Sequence, residues 1–238
     1  MNELPDFIFP DSNGFKGIVL DTYLENGFYR MQHFLFTTNQ TQIGVGSKNF
    51  PVFWLRIPIN NCRENKDAIA IRKKVVSFNV TFHKAEITAE INDLYKLYLA
   101  DVKFEAAETC KSYLHDSQLP NPFDSLMVNV REGKRLIAVG YFDVGLNAMA
   151  GILNFFDPNY KKFSLGKLLM LTKIDFAIAN NISFYYLGYL STQSIKFDYK
   201  IFPDKATVEV LLPLEKSWVT YKSFGKEKLQ EYFEKNKL

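Results

Sequence analysis

The chain has 238 residues, 47% of them hydrophobic and 16% aromatic, with a formal net charge of +3. That is enough apolar side chain for one large domain or two small ones, and too little positive charge for a dedicated nucleic-acid binder, although a small footprint on an RNA end stays open. The opening MNELPDFIFPDSNG has no basic start before an apolar run, no apolar run is long enough for a bilayer, and Cys62 and Cys110 form no CxxC pair, so a cytoplasmic protein without membrane span, disulfide framework or cysteine metal site is expected.

In chain order, FKGIVLDTYL (15–24) and FPVFWLRIPI (50–59) are predicted strands, dense in aromatic and β-branched residues. Between them TTNQTQIGVGSKN reads as a polar, glycine-containing loop or hairpin. Ile87, Ile91, Leu94, Tyr95 and Tyr98 recur at helical spacing and predict an amphipathic helix that ends before the proline-rich SQLPNPFDS. LMVNVRE, RLIAVGYFDVG and MAGILNFFD then read as consecutive antiparallel strands, the first two joined by a tight turn at Glu132-Gly133-Lys134. A helix is predicted over 164–180, with Ser164 as its N-cap and Leu165, Leu168, Leu171, Ile174 and Ile178 on its apolar face. SFYYLGYL, VEVLLP and WVTYK follow as strands, and GKEKLQEYFEKNKL as a closing, solvated helix. His33, His83 and His115 are scattered and suggest no ligand set.

This order predicts an α+β protein. Residues 1–84 form a smaller N-terminal α+β region, and residues 85–238 a β-β-β-α-β domain of the GNAT-like acyltransferase kind, with a mostly antiparallel mixed sheet flanked by helices. In such folds the helix start after the fourth strand takes the phosphates of the acyl carrier, because exposed N–H groups and the helix dipole favour anions there. KKFSLGKLL offers Ser164, Gly166 and Lys167 in the first turn with Lys161 and Lys162 just before it. An ordinary capped helix would look the same. Gly188, inside a strand it would normally weaken, needs a reason for having no side chain.

The blocks LIAVGYFDVG (136–145), FFDP (155–158), SLGK (164–167), YYLGY (185–189) and KFDYK (196–200), in that order, resemble the aminoacyl-tRNA–protein transferases, the arginyl-transferases of eukaryotes and their bacterial leucyl-transferring relatives. The match is good over 136–202. LENGFYR (24–30) and LRIPI (55–59) resemble the family's glycine-phenylalanine-arginine and arginine-valine-proline segments, and Tyr95 and Tyr98 fall on its tyrosine-rich helix. Where the family carries an N-terminal cysteine cluster, residues 35–53 hold no cysteine; Ile69 and Ala70 stand near the family's arginine pair, followed by Arg72, Lys73 and Lys74, and Phe197 replaces a methionine.

The resemblance implies transfer of an amino acid from the 3′ end of a charged tRNA to the α-amine of an acceptor protein; the family's cysteine cluster resembles a metal or iron–sulfur site, and without those cysteines no cofactor or metal is expected here. Implied donor-site residues are Ser164, Gly166, Lys167, Tyr186, Gly188, Tyr189, Lys196, Tyr199 and Lys200. A glycine at 188 would let the aminoacyl group approach the backbone; Tyr186 and Tyr189, expected on opposite strand faces, offer a ring for the terminal adenosine; Lys196 and Lys200 could meet phosphates. Arg30 and Arg56 would pair with an acidic acceptor side chain, unless they form surface ion pairs. Asp157 reads first as a turn aspartate before proline and second as a group that helps take the amine's proton. No Ser–His–Asp or Cys–His set is found, so the catalytic residues are unassigned. An acyltransferase using acyl-CoA and a non-catalytic RNA- or peptide-binding relative are the competing readings.

Overall fold

The computed structural model describes residues 7–42, 49–103, 106–114 and 119–238, which leaves part of the loop after Thr37 and His115 outside the described residues. A short strand β1 (Phe7–Ile8) leads to helix α1 (Ile18–Glu25) and to the strands β2 (Tyr29–Met31), β3 (Phe34–Phe36), β4 (Gln40–Gln42) and β5 (Asn49–Pro58). Then come α2 (Lys66–Lys74), β6 (Asn79–Lys84), α3 (Ala89–Asp101), α4 (Lys111–Leu114) and the meander β7 (Ser125–Glu132), β8 (Arg135–Val144), β9 (Ala148–Phe156). Helix α5 (Leu165–Ala179), β10 (Phe184–Ser191), β11 (Glu209–Leu212), β12 (Ser217–Thr220) and α6 (Tyr221–Asn236) complete the chain.

Two sheets result among the described residues. The small one has the order β1-β3-β2, and the large one runs β12-β11-β5-β10-β9-β8-β7-β6 with β4 added to β5. All pairs of the large sheet are antiparallel except β9–β10, which α5 connects. The α+β class and the mostly antiparallel sheet flanked by helices are as expected. Strands from both sides of residue 84 share this sheet, since β5 lies between β10 and β11 and β6 forms its far edge.

Helices α2, α5 and α6 pack on one face, around Phe53, Leu55, Ile57, Val128, Met149, Tyr185 and Leu187. On the other face lie α1 and the small sheet, over Trp54, Ala148, Ala150 and Tyr186, and α3, over Tyr141 and Phe155. The strand β5 is apolar almost throughout because both of its faces are covered: Pro51 to Ile57 are all buried. Helix α5 has no polar face for a similar reason, with Leu165, the run Leu168 to Ile174 and Ala177 all buried.

Residues 15–24, expected as a strand, instead form α1 from Ile18. Leu20 and Leu24, one turn apart, are buried, and the Asp21 carboxylate accepts hydrogen bonds from the N–H groups of Leu146, Asn147 and Ala148 in the turn between β8 and β9. That bond set is available only to a helix seated on the turn, and it overrides the β-branched composition. Ser164 does stand before α5, but in the left-handed conformation (φ 54°) and without a side-chain capping bond. Its carbonyl, not its hydroxyl, receives the N–H groups of Lys167 and Leu168.

Candidate functional site

The large sheet opens in its middle. Strands β9 and β10 share only three register pairs, Phe184 with Ala148, Tyr185 with Met149 and Tyr186 with Ala150, although both continue beyond them. A bulge follows on each strand at that point. On β9, Ile152 is the extra residue between the partners of Tyr141 and Phe142; on β10, Leu187 is the extra residue between the partners of Arg56 and Leu55. A bulge bends its strand and raises the local twist, so two facing bulges drive the strands apart. Gly151 through Asn154 are consequently half-buried in what is a central strand. At the closed end the Tyr29 hydroxyl bridges the strands, reaching the carbonyl of Gly151 on β9 and that of Tyr186, 3.0 Å away, on β10. Beyond this bolt the backbone edges of the two strands face one another across a split.

Gly188 sits in the β10 bulge with φ +82°, a region that L side chains rarely adopt. The atom that holds the space of its missing side chain belongs to the chain itself: a Cβ there would stand 2.8 Å from Lys200 Nζ. That ammonium donates to the Tyr189 carbonyl at 3.0 Å and lies 5.0 Å and 4.9 Å from the ring centres of Tyr189 and Phe197. Lys200 comes from a short 3-10 turn, Asp198–Ile201, that packs on β10. Burial, helped by the charge of Lys196, pulls the Lys200 ammonium down to about 7. Tyr199 of the same turn is exposed along its ring, yet its hydroxyl is enclosed near Tyr98 and Tyr189, and burial pushes it up to about 12. Tyr29 and Tyr185, which sense Tyr199 electrostatically, are raised by burial too.

The start of α5 meets the same turn. Lys167 Nζ lies 4.4 Å from the ring centre of Phe202, which follows the turn, and Gly166 faces Phe156 at the end of β9 with room for a methyl group. The structure thus gathers Ser164, Gly166, Lys167, Gly188, Lys196, Tyr199 and Lys200 around one split, with Tyr189 on its wall. Separate motifs of the sequence become one place.

Tyr186 and Tyr189 were expected on opposite faces of the strand, and they share one. The bulge restores the face after an odd step: Tyr186 pairs with Arg56 and Tyr189 with Trp54, which are two residues apart on β5. Both rings join the α1 side of the core. The Tyr189 hydroxyl stands 3.3 Å from that of Thr41, and the Tyr186 hydroxyl donates to Glu25 at 3.0 Å.

Arg56 lies beside Tyr186, between the rings of Phe184 and Trp218, and is ion-paired with Glu25 and, at 2.7 Å, with Glu209. Arg30 is buried deeper. Its side chain and that of Asp143 are each 1% exposed and pair at 2.6 Å. The remaining N–H groups reach Gln32 O, Ser125 Oγ, Leu114 O and Asn121 Oδ1, so all five donors are in use. The arginine of GFYR and the aspartate of LIAVGYFD are therefore two halves of one buried structural bond. Asp157 is the turn aspartate: Oδ1 accepts from the backbone and side-chain N–H groups of Asn159 and Oδ2 from Arg135.

Two groups at the split were not singled out from sequence. Lys173, fully buried on α5, donates to Tyr141 O at 2.9 Å and to Asn154 Oδ1 at 2.8 Å, where the β9 bulge interrupts pairing, and burial lowers it to about 7. A lysine in the apolar run LLMLTKIDFAIA was the available signal. Tyr29, the bolt, carried no signal beyond standing beside Arg30. Among the described residues no group of His, Cys, Asp and Glu could hold a metal ion, and no helix is long and apolar enough to cross a membrane.

Residues 90–204 match the family model described as arginine-tRNA-protein transferase, C terminus. An aspartate/glutamate leucyltransferase of Nitrosococcus oceani is 31% identical over 149 residues, covering 61% of this chain and 62% of that protein. Arginyl-tRNA--protein transferase 1 of Arabidopsis thaliana is 27% identical over 178 residues, covering 66% of this chain and 28% of that protein. The matched part is thus about three fifths of the leucyltransferase and under a third of the plant protein. Among solved structures, a GCN5-related N-acetyltransferase from Kribbella flavida is 10% identical with a TM-score of 0.36, covering 71% of this chain and 53% of that one.

Proposed function

We propose, from the match of residues 90–204 to the C-terminal model of the arginine-tRNA–protein transferase family, that the chain belongs to this family and moves an aminoacyl group from the 3′ end of a charged tRNA to the N-terminal α-amine of an acceptor protein. The split between β9 and β10 carries this proposal. There the two strands part in the middle of the sheet, and lysines and tyrosines stand around the parted edges at the junction of the SLGK helix start and the KFDYK turn.

The reaction asks for placement more than for a reactive triad. The ester of a charged tRNA is already activated, and an α-amine with an unperturbed pKa of about 7.7–8 is partly neutral at physiological pH. Holding both at one site supplies a large share of the acceleration. In this proposal Lys167 and Lys196 meet phosphates of the tRNA end, together with the N–H groups that open α5 at Ser164 and Gly166. Tyr189 and Tyr199 flank the terminal adenosine. The bulge at Gly188 shapes the split, while Arg30, Arg56 and Asp157 act by fixing its walls, since their polar atoms are engaged within the protein.

Incubation with total charged tRNA and peptides differing in their first residue, read by mass, tests the proposal. Addition of one aminoacyl mass to a peptide amine supports it. No addition, with the tRNA still charged, refutes it. Thermal stabilisation then separates the alternatives: acyl-CoA would mark a small-carrier acyltransferase, and charged tRNA without turnover a binding relative.

A further inference from the structure

The proposed transfer leaves a proton unaccounted for, and one side chain of the split suits it. As the amide C–N bond forms and the ester C–O bond breaks, the amine nitrogen must lose a proton and the ribose oxygen must gain one. We propose that Lys200 carries that proton: its uncharged amine takes it from the attacking α-amine and its ammonium returns it to the leaving ribose oxygen. The step balances without any further reactant, and it rests on the function proposed above.

Geometry supports this role. The Lys200 nitrogen is held against the β10 bulge, in the pocket that Gly188 vacates, at the rim of the strand gap. Among the described residues its one hydrogen-bond acceptor is the Tyr189 carbonyl. A single acceptor leaves an uncharged amine with a lone pair and an N–H to spare, whereas an ammonium so placed would lack partners. The two rings beside it exclude water without supplying a carboxylate.

Several of the other titratable groups near the split are bound to different partners or are phenols raised by burial. Tyr189 of β10 stands beside Lys200, Lys196 precedes its turn, and Tyr199 and Asp198 belong to the turn, the Asp198 carboxylate pairing with Lys226 of α6 at 2.6 Å; Tyr185 of β10 is a phenol raised by burial. Tyr98 of α3 and Tyr29 of β2 are phenols raised by burial. Lys173 of α5 is bound to Tyr141 and Asn154, and Lys167 lies over Phe202. Lys200 and Lys173 are both lowered to about 7, but among the described residues Lys173 has two acceptors and Lys200 only one, so Lys200 is the one with a lone pair and an N–H to spare for accepting and releasing a proton at neutral pH.

The test compares wild type with Lys200→Arg and Lys200→Ala in single-turnover transfer from pre-charged tRNA between pH 6 and 9, with tRNA binding measured alongside. Removing a general acid–base is expected to slow transfer by about 100-fold while tRNA binding stays within about 2-fold, in the range of an ordinary surface substitution. Small primary amines should restore rate to Lys200→Ala, which a merely structural lysine would not allow. Independently of turnover, 13C-lysine NMR should show a resonance titrating near pH 7 that is absent from Lys200→Arg. Retained rate in Lys200→Arg, equal loss of rate and tRNA binding, or a Lys200 resonance that titrates near 10 would each overturn the assignment. Absence of transfer by wild type is a different outcome: it refutes the function itself, and this step with it.

Discussion

Replacing Gly188 by alanine perturbs the backbone and the lysine together, and the two costs can be separated. At φ +82° a non-glycine residue pays about 1–2 kcal/mol for the left-handed conformation. The new Cβ would also stand 2.8 Å from Lys200 Nζ. Because that atom ends a flexible chain it can withdraw, forfeiting its bond to the Tyr189 carbonyl, worth about 1 kcal/mol. The sum, about 2–3 kcal/mol, should lower the Tm by roughly 4–12 °C in a chain of this length. Urea unfolding of wild type, Gly188→Ala, Lys200→Ala and the double variant closes a cycle. With Lys200 truncated, Gly188→Ala should cost only its backbone part, leaving a coupling of about 1 kcal/mol. A cost for Gly188→Ala that is unchanged by removing Lys200 would refute the claim that this glycine makes room for the lysine. A cost below about 0.5 kcal/mol would refute the strain as well.

Arg30→Met should destabilise by about 3–5 kcal/mol, because it strands the Asp143 carboxylate in a dry site; denaturant melts read this, and an Arg30→Met protein of near wild-type stability with altered acceptor preference would instead favour direct acceptor binding. Lys173 gives a pH dependence of known sign. Its folded-state pKa of about 7 lies below the unfolded value of about 10.4, so between them the unfolded chain binds more protons and stability rises with pH. The difference in unfolding free energy, wild type minus Lys173→Met, should therefore increase from pH 7 to 9, by at most about 1.4 kcal/mol per unit. A flat or falling difference would show that Lys173 stays charged in the fold.

Composition and period disclosed the meander β7–β8–β9, the helix α5 and the glycine-bearing strand β10, because each is long and its apolar pattern is unbroken. They did not disclose α1, whose helix depends on Asp21 reaching a turn more than 120 residues away. The motif order brought the right segments to attention, but the roles of their residues depend on contacts that spacing does not encode. Arg30 and Asp143 stand in different blocks and complete one ion pair. Tyr186 and Tyr189 changed relative faces because one residue of β10 is bulged, and a one-residue register shift is silent in a run of aromatics. Gly188 could be recognised as unusual, yet its neighbour, Lys200, lies twelve residues further on and reaches it only after the chain has turned back.

The position of β5 also bears on how the chain reaches this structure. The strands on either side of it in the large sheet, β10 and β11, are made late in synthesis: Arg56 meets Tyr186 across 130 residues and Glu209 across 153. Until β10 and β11 have left the ribosome, this apolar strand has neither of them, β4 covers it only along Asn49–Pro51, and the rest of its edges is open to other chains. Closing loops of that length precedes any reward from the pairing, so completion of the sheet should be the slow step of folding, and nascent or truncated chains should depend on chaperones that shield a single extended hydrophobic segment.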